Sequence, residues 1–169
     1  MAVVSFPGTD HSTGQGATVE TVITRLTLAD AADWQQAIAA ECRRQRLLTP
    51  SVFAFLKDRR LLDRCTFLAS DEGGDALRFL HIGEPTLRVL GRAGGRSMIG
   101  QFDVDDPHAD FAHSVGAQYA ESIGAGEALF NRISVTGMGK PLIYTHALYG
   151  WSEGGRRAVL SAVDVRTLH

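Results

Sequence analysis

Leu129-Phe130-Asn131-Arg132-Ile133-Ser134-Val135, the turn Thr136-Gly137-Met138-Gly139-Lys140, and Leu142-Ile143-Tyr144-Thr145-His146-Ala147-Leu148-Tyr149-Gly150-Trp151 decide the fold. A second turn, Ser152-Glu153-Gly154-Gly155, leads into a last apolar run from Ala158 to Val165. All three runs are rich in β-branched and aromatic residues, which suit a pleated surface. Turns this short join antiparallel neighbours, since parallel ones need a crossover of a dozen residues or more. A three-stranded antiparallel meander is therefore predicted.

Working outward, Cys65-Thr66-Phe67-Leu68 and Leu77-Arg78-Phe79-Leu80-His81-Ile82 flank the turn Asp71-Glu72-Gly73-Gly74-Asp75 and predict a hairpin. Five antiparallel strands are expected, near 64–70, 76–82, 128–136, 141–151 and 157–166. Between the two sheet segments, Gly83-Glu84-Pro85 opens a short helix that ends at Gly91, and the glycine-rich, basic 91–100 segment is a loop. Asp106-Pro107 is a helix start, with Asp as N-cap and Pro at the first helical position. Phe111, Val115, Tyr119 and Ile123 then give an apolar stripe, and Gly124 is the stop. The expected fold class is α+β.

The N-terminal third divides in two. Residues 1–26, dominated by Ser, Thr, Gly and Pro from Ser5 to Thr18, are expected to be a flexible tail. An amphipathic helix is predicted within 27–49. Thr27 and Asp30 form its capping box, Ala31, Trp34, Ile38 and Cys42 its apolar stripe, and Arg43-Arg44-Gln45-Arg46 its solvated last turn. Pro50 ends it, and a second helix follows from Val52 to Leu62.

The chain has 169 residues, 44% of them hydrophobic and 21% charged, which suits a single globular domain with a core of useful size. A net charge of −2 disfavours a basic nucleic-acid binder. No apolar run approaches the roughly 20 residues of a membrane span. The first Arg or Lys is Arg25, which disfavours a signal peptide. A cytoplasmic protein is expected, with Cys42 and Cys65 as two buried or half-buried thiols.

Motifs for chemistry are weak. Gly14-Gln15-Gly16 lacks the rest of a phosphate loop. An ion loop starting at Asp103 would need Gly and Glu where His108 and Ser114 stand, with Pro107 interrupting it; helix capping explains the acidic run better. His108 and His113 diverge by about 140° on a helix, a poor metal pair. There is no GxSxG. No catalytic residue and no metal ligand is expected.

Polar residues inside strands are more informative. Arg132 and Ser134 share one face of the third strand, and Asn131, Ile133 and Val135 the other. In the fourth strand Tyr144, His146 and Leu148 share a face opposite Thr145, Ala147 and Tyr149. Aromatics on both faces mean that both are covered or that one lines a cavity. Pairing Arg132 with Tyr144 and Ser134 with Leu142 across the turn would gather Arg132, Ser134, Tyr144 and His146, with His81 at the end of the second strand, as a candidate ligand site. An arginine beside a tyrosine and a histidine suits an anionic headgroup.

Leu77-Arg78-Phe79-Leu80-His81-Ile82-Gly83, the helix to Val89-Leu90-Gly91-Arg92, and Gly95-Arg96-Ser97-Met98-Ile99-Gly100 resemble the middle of a PAS domain. Ala147-Leu148-Tyr149-Gly150-Trp151-Ser152-Glu153-Gly154-Gly155-Arg156-Arg157 and Leu160-Ser161-Ala162-Val163 are similar to the last hairpin of the single-domain PAS-like family of alphaproteobacterial type. The resemblance spans roughly residues 50–166. It implies a PAS-like domain over 50–169, with a five-stranded antiparallel sheet in order 2-1-5-4-3, helices on one face and an extra N-terminal helix. No cysteine or histidine matches a chromophore- or haem-binding position, so the cofactor is left unnamed.

The implied function is a sensory or signalling module that binds a small ligand or a protein partner and acts by association, not catalysis. It would form a homodimer through residues 28–46 and work on a separate output protein, with no nucleic acid or membrane involved. The alternatives are a small enzyme of ketosteroid-isomerase-like cone fold, which would place its long helices before most of its sheet, and a ligand-free scaffold.

Overall fold

Alternating strands from the last third of the chain form the middle of a seven-stranded sheet in the computed structural model, which describes residues 3–5, 20–90, 92–103, 109–137 and 141–167. The elements in chain order are β1 (Val3–Ser5), β2 (Glu20–Leu26), α1 (Asp33–Arg43), α2 (Pro50–Asp58), β3 (Cys65–Ser70), β4 (Leu77–His81), α3 (Glu84–Leu90), α4 (Arg92–Ser97), α5 (Ala109–Ala125), β5 (Leu129–Thr136), β6 (Leu142–Glu153) and β7 (Arg156–Thr167). Every strand pairing is antiparallel, in the order β1-β2-β5-β6-β7-β3-β4. The fold is α+β.

Seven strands stand where five were expected. The added pair comes from the segment expected to be a tail. Glu20-Thr21-Val22-Ile23-Thr24-Arg25-Leu26 is a β-branched run that pairs along the whole outer edge of β5, from Glu20 opposite Thr136 to Leu26 opposite Phe130. An exposed edge on β5 would otherwise present unpaired backbone groups, so this strand has a job to do there. Residues 6–19 lie outside the described residues.

Helices cover both faces of the sheet, not one. On one face α3 and α5 bury Leu87, Val115, Tyr119 and Ile123 against Leu68, Phe79, Ile133, Val135, Tyr144, Leu148 and Val163. On the other, α1 and α2 bury Ile38, Cys42, Val52 and Leu56 against Phe67, Phe130, Ala147, Tyr149, Trp151 and Leu160. β6 supplies aromatics to both cores, because successive side chains point to opposite faces. The α1 stripe is thus spent inside the chain: Ile38 is 1% exposed and Cys42 fully buried. Buried Gln35 donates from Nε2 to the Ala162 carbonyl at 2.9 Å, and Trp151 Nε1 donates to the Gln45 carbonyl at 3.0 Å, tying the 27–49 segment to the sheet.

Local details differ from expectation for physical reasons. Thr27 and Asp30 do form a capping box, but it closes a single 3-10 turn at Leu28–Asp30, and α1 begins at Asp33. Pro50 opens α2 as its first residue instead of merely closing α1, its fixed φ suiting that position. The 91–100 segment, expected as a loop, contains the one-turn helix α4. Asp106, Pro107 and His108 lie outside the described residues. Helix α5 runs one residue past Gly124 and stops at Gly126, whose φ of +63° takes the left-handed cap.

At Gly150 the last turn of α5 rests directly on β6. A Cβ there would lie 2.3 Å from the Ile123 backbone nitrogen, so only glycine admits this approach.

Candidate functional site

Register across β2, β5, β6 and β7 places Arg25, Asn131, His146 and Val163 side by side in one row. Helix α5 passes over this row, contributing Gln118 and Glu121. Arg25 grips Glu121 with both terminal nitrogens, Nη1 to Oε1 at 3.0 Å and Nη2 to Oε2 at 2.7 Å, and Nη2 also donates to Gln118 Oε1 at 3.0 Å. Its Nε donates to Asn131 Oδ1 at 2.6 Å. That bond fixes the Asn131 amide, whose Nδ2 then donates to Gln118 Oε1 at 3.2 Å and to His146 Nε2 at 3.1 Å.

Since Nε2 accepts, the neutral ring of His146 carries its proton on Nδ1. The residue is 1% exposed. Burial, reinforced by the nearby Arg25 guanidinium, pushes its pKa down to about 3. His146 is therefore an uncharged acceptor at any ordinary pH. Burial also raises the Tyr144 phenol well above its usual range, with Tyr119 adding to the effect, so Tyr144 stays protonated. Its ring meets the His146 ring edge to face, with centroids 6.0 Å apart.

The expected ligand set is not assembled. Tyr144 pairs with Ile133, and Arg132 pairs with Thr145, one residue away from the expected register. A one-residue shift moves a side chain to the other face. Tyr144 and His146 point towards α5, whereas Arg132 and Ser134 lie on the opposite face with Thr145 and Ile143. Arg132 is exposed. His81 sits on β4, beyond β7 and β3, where its Nε2 is 3.3 Å from the Leu62 carbonyl oxygen and its ring meets Phe67.

The residues that do converge with His146 are Arg25, Asn131, Gln118 and Glu121. Asn131 was marked by its alternation with Ile133 and Val135. Arg25 carried no such signal while its segment read as a tail. Among the described residues no buried side-chain nitrogen or oxygen is left without a hydrogen-bond partner. The chemistry of this cluster is structural: it fastens β2 and α5 to the sheet.

Open space lies on the other flank of α5. A cleft of about 610 Å³ separates the helix from the start of β4. Ala112, Gly116 and Ala120 form a low wall on the helix, and Leu77 closes the base. Asp75, Asp103, His113 and Arg157 bring charge and polarity to its margin. The Arg157 guanidinium is held by Asp75, with Nη1 donating to the backbone oxygen at 3.1 Å and to Oδ1 at 3.2 Å.

Among the described residues, no group of three or more His, Cys, Asp or Glu side chains is placed to hold a metal ion. Cys42 and Cys65 are both buried free thiols, and burial raises both pKa values, that of Cys65 to about 12, leaving them protonated and unreactive. No described helix is long and apolar enough to cross a membrane. Compared with known proteins, the chain matches no family model, no curated protein and no solved structure.

Proposed function

We propose that this chain is a PAS-type sensory or interaction module, which receives a small molecule beside α5 and signals to a separate output protein by association, without catalysis. The observation that carries this reading is topological. β4, β3, β7, β6 and β5 are consecutive neighbours, and α3, α4 and α5 all lie in the connection from β4 to β5. Counted from β3, these five strands run 2-1-5-4-3, with β2 and β1 added beyond the last. The cone-fold enzyme alternative fits less well, because β2, β3 and β4 all precede the long helix α5.

In this reading α5 is the transmitting element. It has the cleft on one flank and the Arg25 clamp on the other. A ligand shifts such a module only by binding two conformations unequally. Native mass spectrometry of the freshly purified full chain, with an absorbance scan, tests the proposal. A bound small molecule, released on mild denaturation, is expected. A chain that carries none, and that neither takes up a ligand nor changes its association when metabolite extract is added, counts against it.

A homodimer through residues 28–46 belongs to the same proposal, but it must use the outer flank of α1, where Asp33, Ala40 and Arg44 are exposed. Sedimentation of the parent and of Ala40→Arg checks this. The parent should be dimeric and the variant monomeric; a monomeric parent rejects the dimer.

A further inference from the structure

We infer that the cleft beside α5 is a site for a zwitterionic amino acid with an apolar or aromatic side chain, a statement that rests on the ligand-binding function proposed above. Charge balance carries the argument. A simple anion entering the cleft would meet Arg157 but also the Asp103 carboxylate, while the Asp75 carboxylate, 98% exposed, already pairs with Arg157 from the solvent side. A simple cation would meet Asp103 but also the guanidinium. A molecule with both charges two bonds apart offers a carboxylate to Arg157 and an ammonium to Asp103.

Arg157 uses only Nη1 to hold Asp75. Its Nε and Nη2 have no partner among the described residues, and that edge of a guanidinium grips a carboxylate at two points. The side chain is 27% exposed, so its donors stand at the cleft margin instead of in open water. Asp103 faces the same space from the helix side, with Oδ2 3.7 Å from where a Gly116 Cβ would stand. Asp103 already takes part in an interaction within the chain, and a carboxylate offers about four acceptor sites, which gives it room for an ammonium group as well.

Between these ends the wall is made of Ala112, Gly116 and Ala120, with Leu77 beneath. Small side chains let a flat or branched apolar group lie close against the helix. This matches the general form of a small-molecule site, apolar walls with a few placed polar groups.

Titration calorimetry with three probes tests the inference on the full chain: L-phenylalanine, phenethylamine and 3-phenylpropanoate. They share one apolar body and carry both charges, the ammonium alone and the carboxylate alone. Phenylalanine should bind, and each single-charge analogue should bind about tenfold more weakly or worse, the usual cost of losing a charged hydrogen bond. Arg157→Gln should abolish the preference for phenylalanine over phenethylamine. Gly116→Leu should block all three, with an unchanged circular dichroism spectrum showing that the fold is intact. Equal binding of the three probes, or phenylalanine binding that survives Gly116→Leu, overturns the assignment. So does a different molecule, such as a haem or flavin, found bound to the purified chain; that outcome sinks the amino-acid class and leaves the sensory function standing. Failure of all three probes on a chain that also carries and takes up nothing sinks both.

Discussion

His146 links the stability of this fold to pH. In the folded chain its pKa lies near 3, because burial and Arg25 oppose a second positive charge. In the unfolded chain it returns to about 6.5. Below that value the unfolded state takes up a proton that the folded state refuses, so acid favours unfolding. The full contribution is present above about pH 6.5 and is lost as pH falls towards 3. At pH 4.5 the loss should be about 2–3 kcal/mol relative to pH 7. His146→Gln keeps an acceptor for Asn131 without a titrating ring. Urea unfolding of both proteins at pH 7 and 4.5 should show a smaller acid loss in the variant; the same loss in both would rule out this role. The face of the sheet that His146 occupies was legible in the sequence, since Tyr144, His146 and Leu148 alternate with Thr145, Ala147 and Tyr149. Its cross-strand neighbour was not. Five residues between Thr136 and Leu142 admit more than one pairing, and one step of register decides whether Phe130 or Asn131 stands opposite it.

Contacts between elements turn on two glycines with opposite surroundings. A methyl at Gly150 would meet backbone of α5, 2.3 Å from Ile123 nitrogen and 2.5 Å from its Cα, and backbone cannot step aside as a side-chain tip can. Gly150→Ala should therefore force α5 away from β6, at a cost of about 3 kcal/mol or more. Gly116 lies in the interior of the same helix, where the nearest neighbour of an added methyl is the Asp103 carboxylate at 3.7 Å. Gly116→Ala should stabilise the chain by about 1 kcal/mol through helix propensity. Thermal melts of the two variants check the pair: a mild effect at Gly150 would mean that the α5–β6 contact yields. The elements themselves were legible to different degrees. β3 to β7 announce themselves by period-two alternation and glycine turns. The helix at Arg92–Ser97 hid behind Gly94 and Gly95, which lower helix propensity enough to suggest a loop. β2 hid behind the Ser- and Gly-rich residues before it, although Thr21-Val22-Ile23-Thr24 is as β-prone as any strand in the chain.

For the whole molecule, the decisive feature is that the sheet is covered on both sides and extended at one edge. Aromatics on both faces of β6 left open double coverage or a cavity on one face, and which helix took which face depended on long-range packing that no local pattern encodes. The edge strand shows the consequence most directly. If residues 1–26 were a dispensable tail, their deletion would leave the melting curve unchanged. Here deletion removes β2, bares the backbone edge of β5 from Phe130 to Thr136, and takes the guanidinium from Glu121, Gln118 and Asn131. Asn131 Oδ1 would then lose its donor under a helix that is itself no longer anchored. The melting temperature should fall by about 10 °C, the shift that a loss of a few kcal/mol brings in a domain of this size. An unpaired edge also templates pairing with another chain, so the shortened protein should elute as larger species as its concentration rises. Arg25→Met separates the two contributions. It keeps the β2–β5 ladder and removes only the clamp, and since Arg25 and Glu121 are 40% and 47% exposed the ion pair itself is worth little. The substitution should lower the melting temperature less than the deletion does and leave the elution volume independent of concentration. A deletion that melts like the parent and stays the same size at every concentration would show that β2 contributes nothing to the fold.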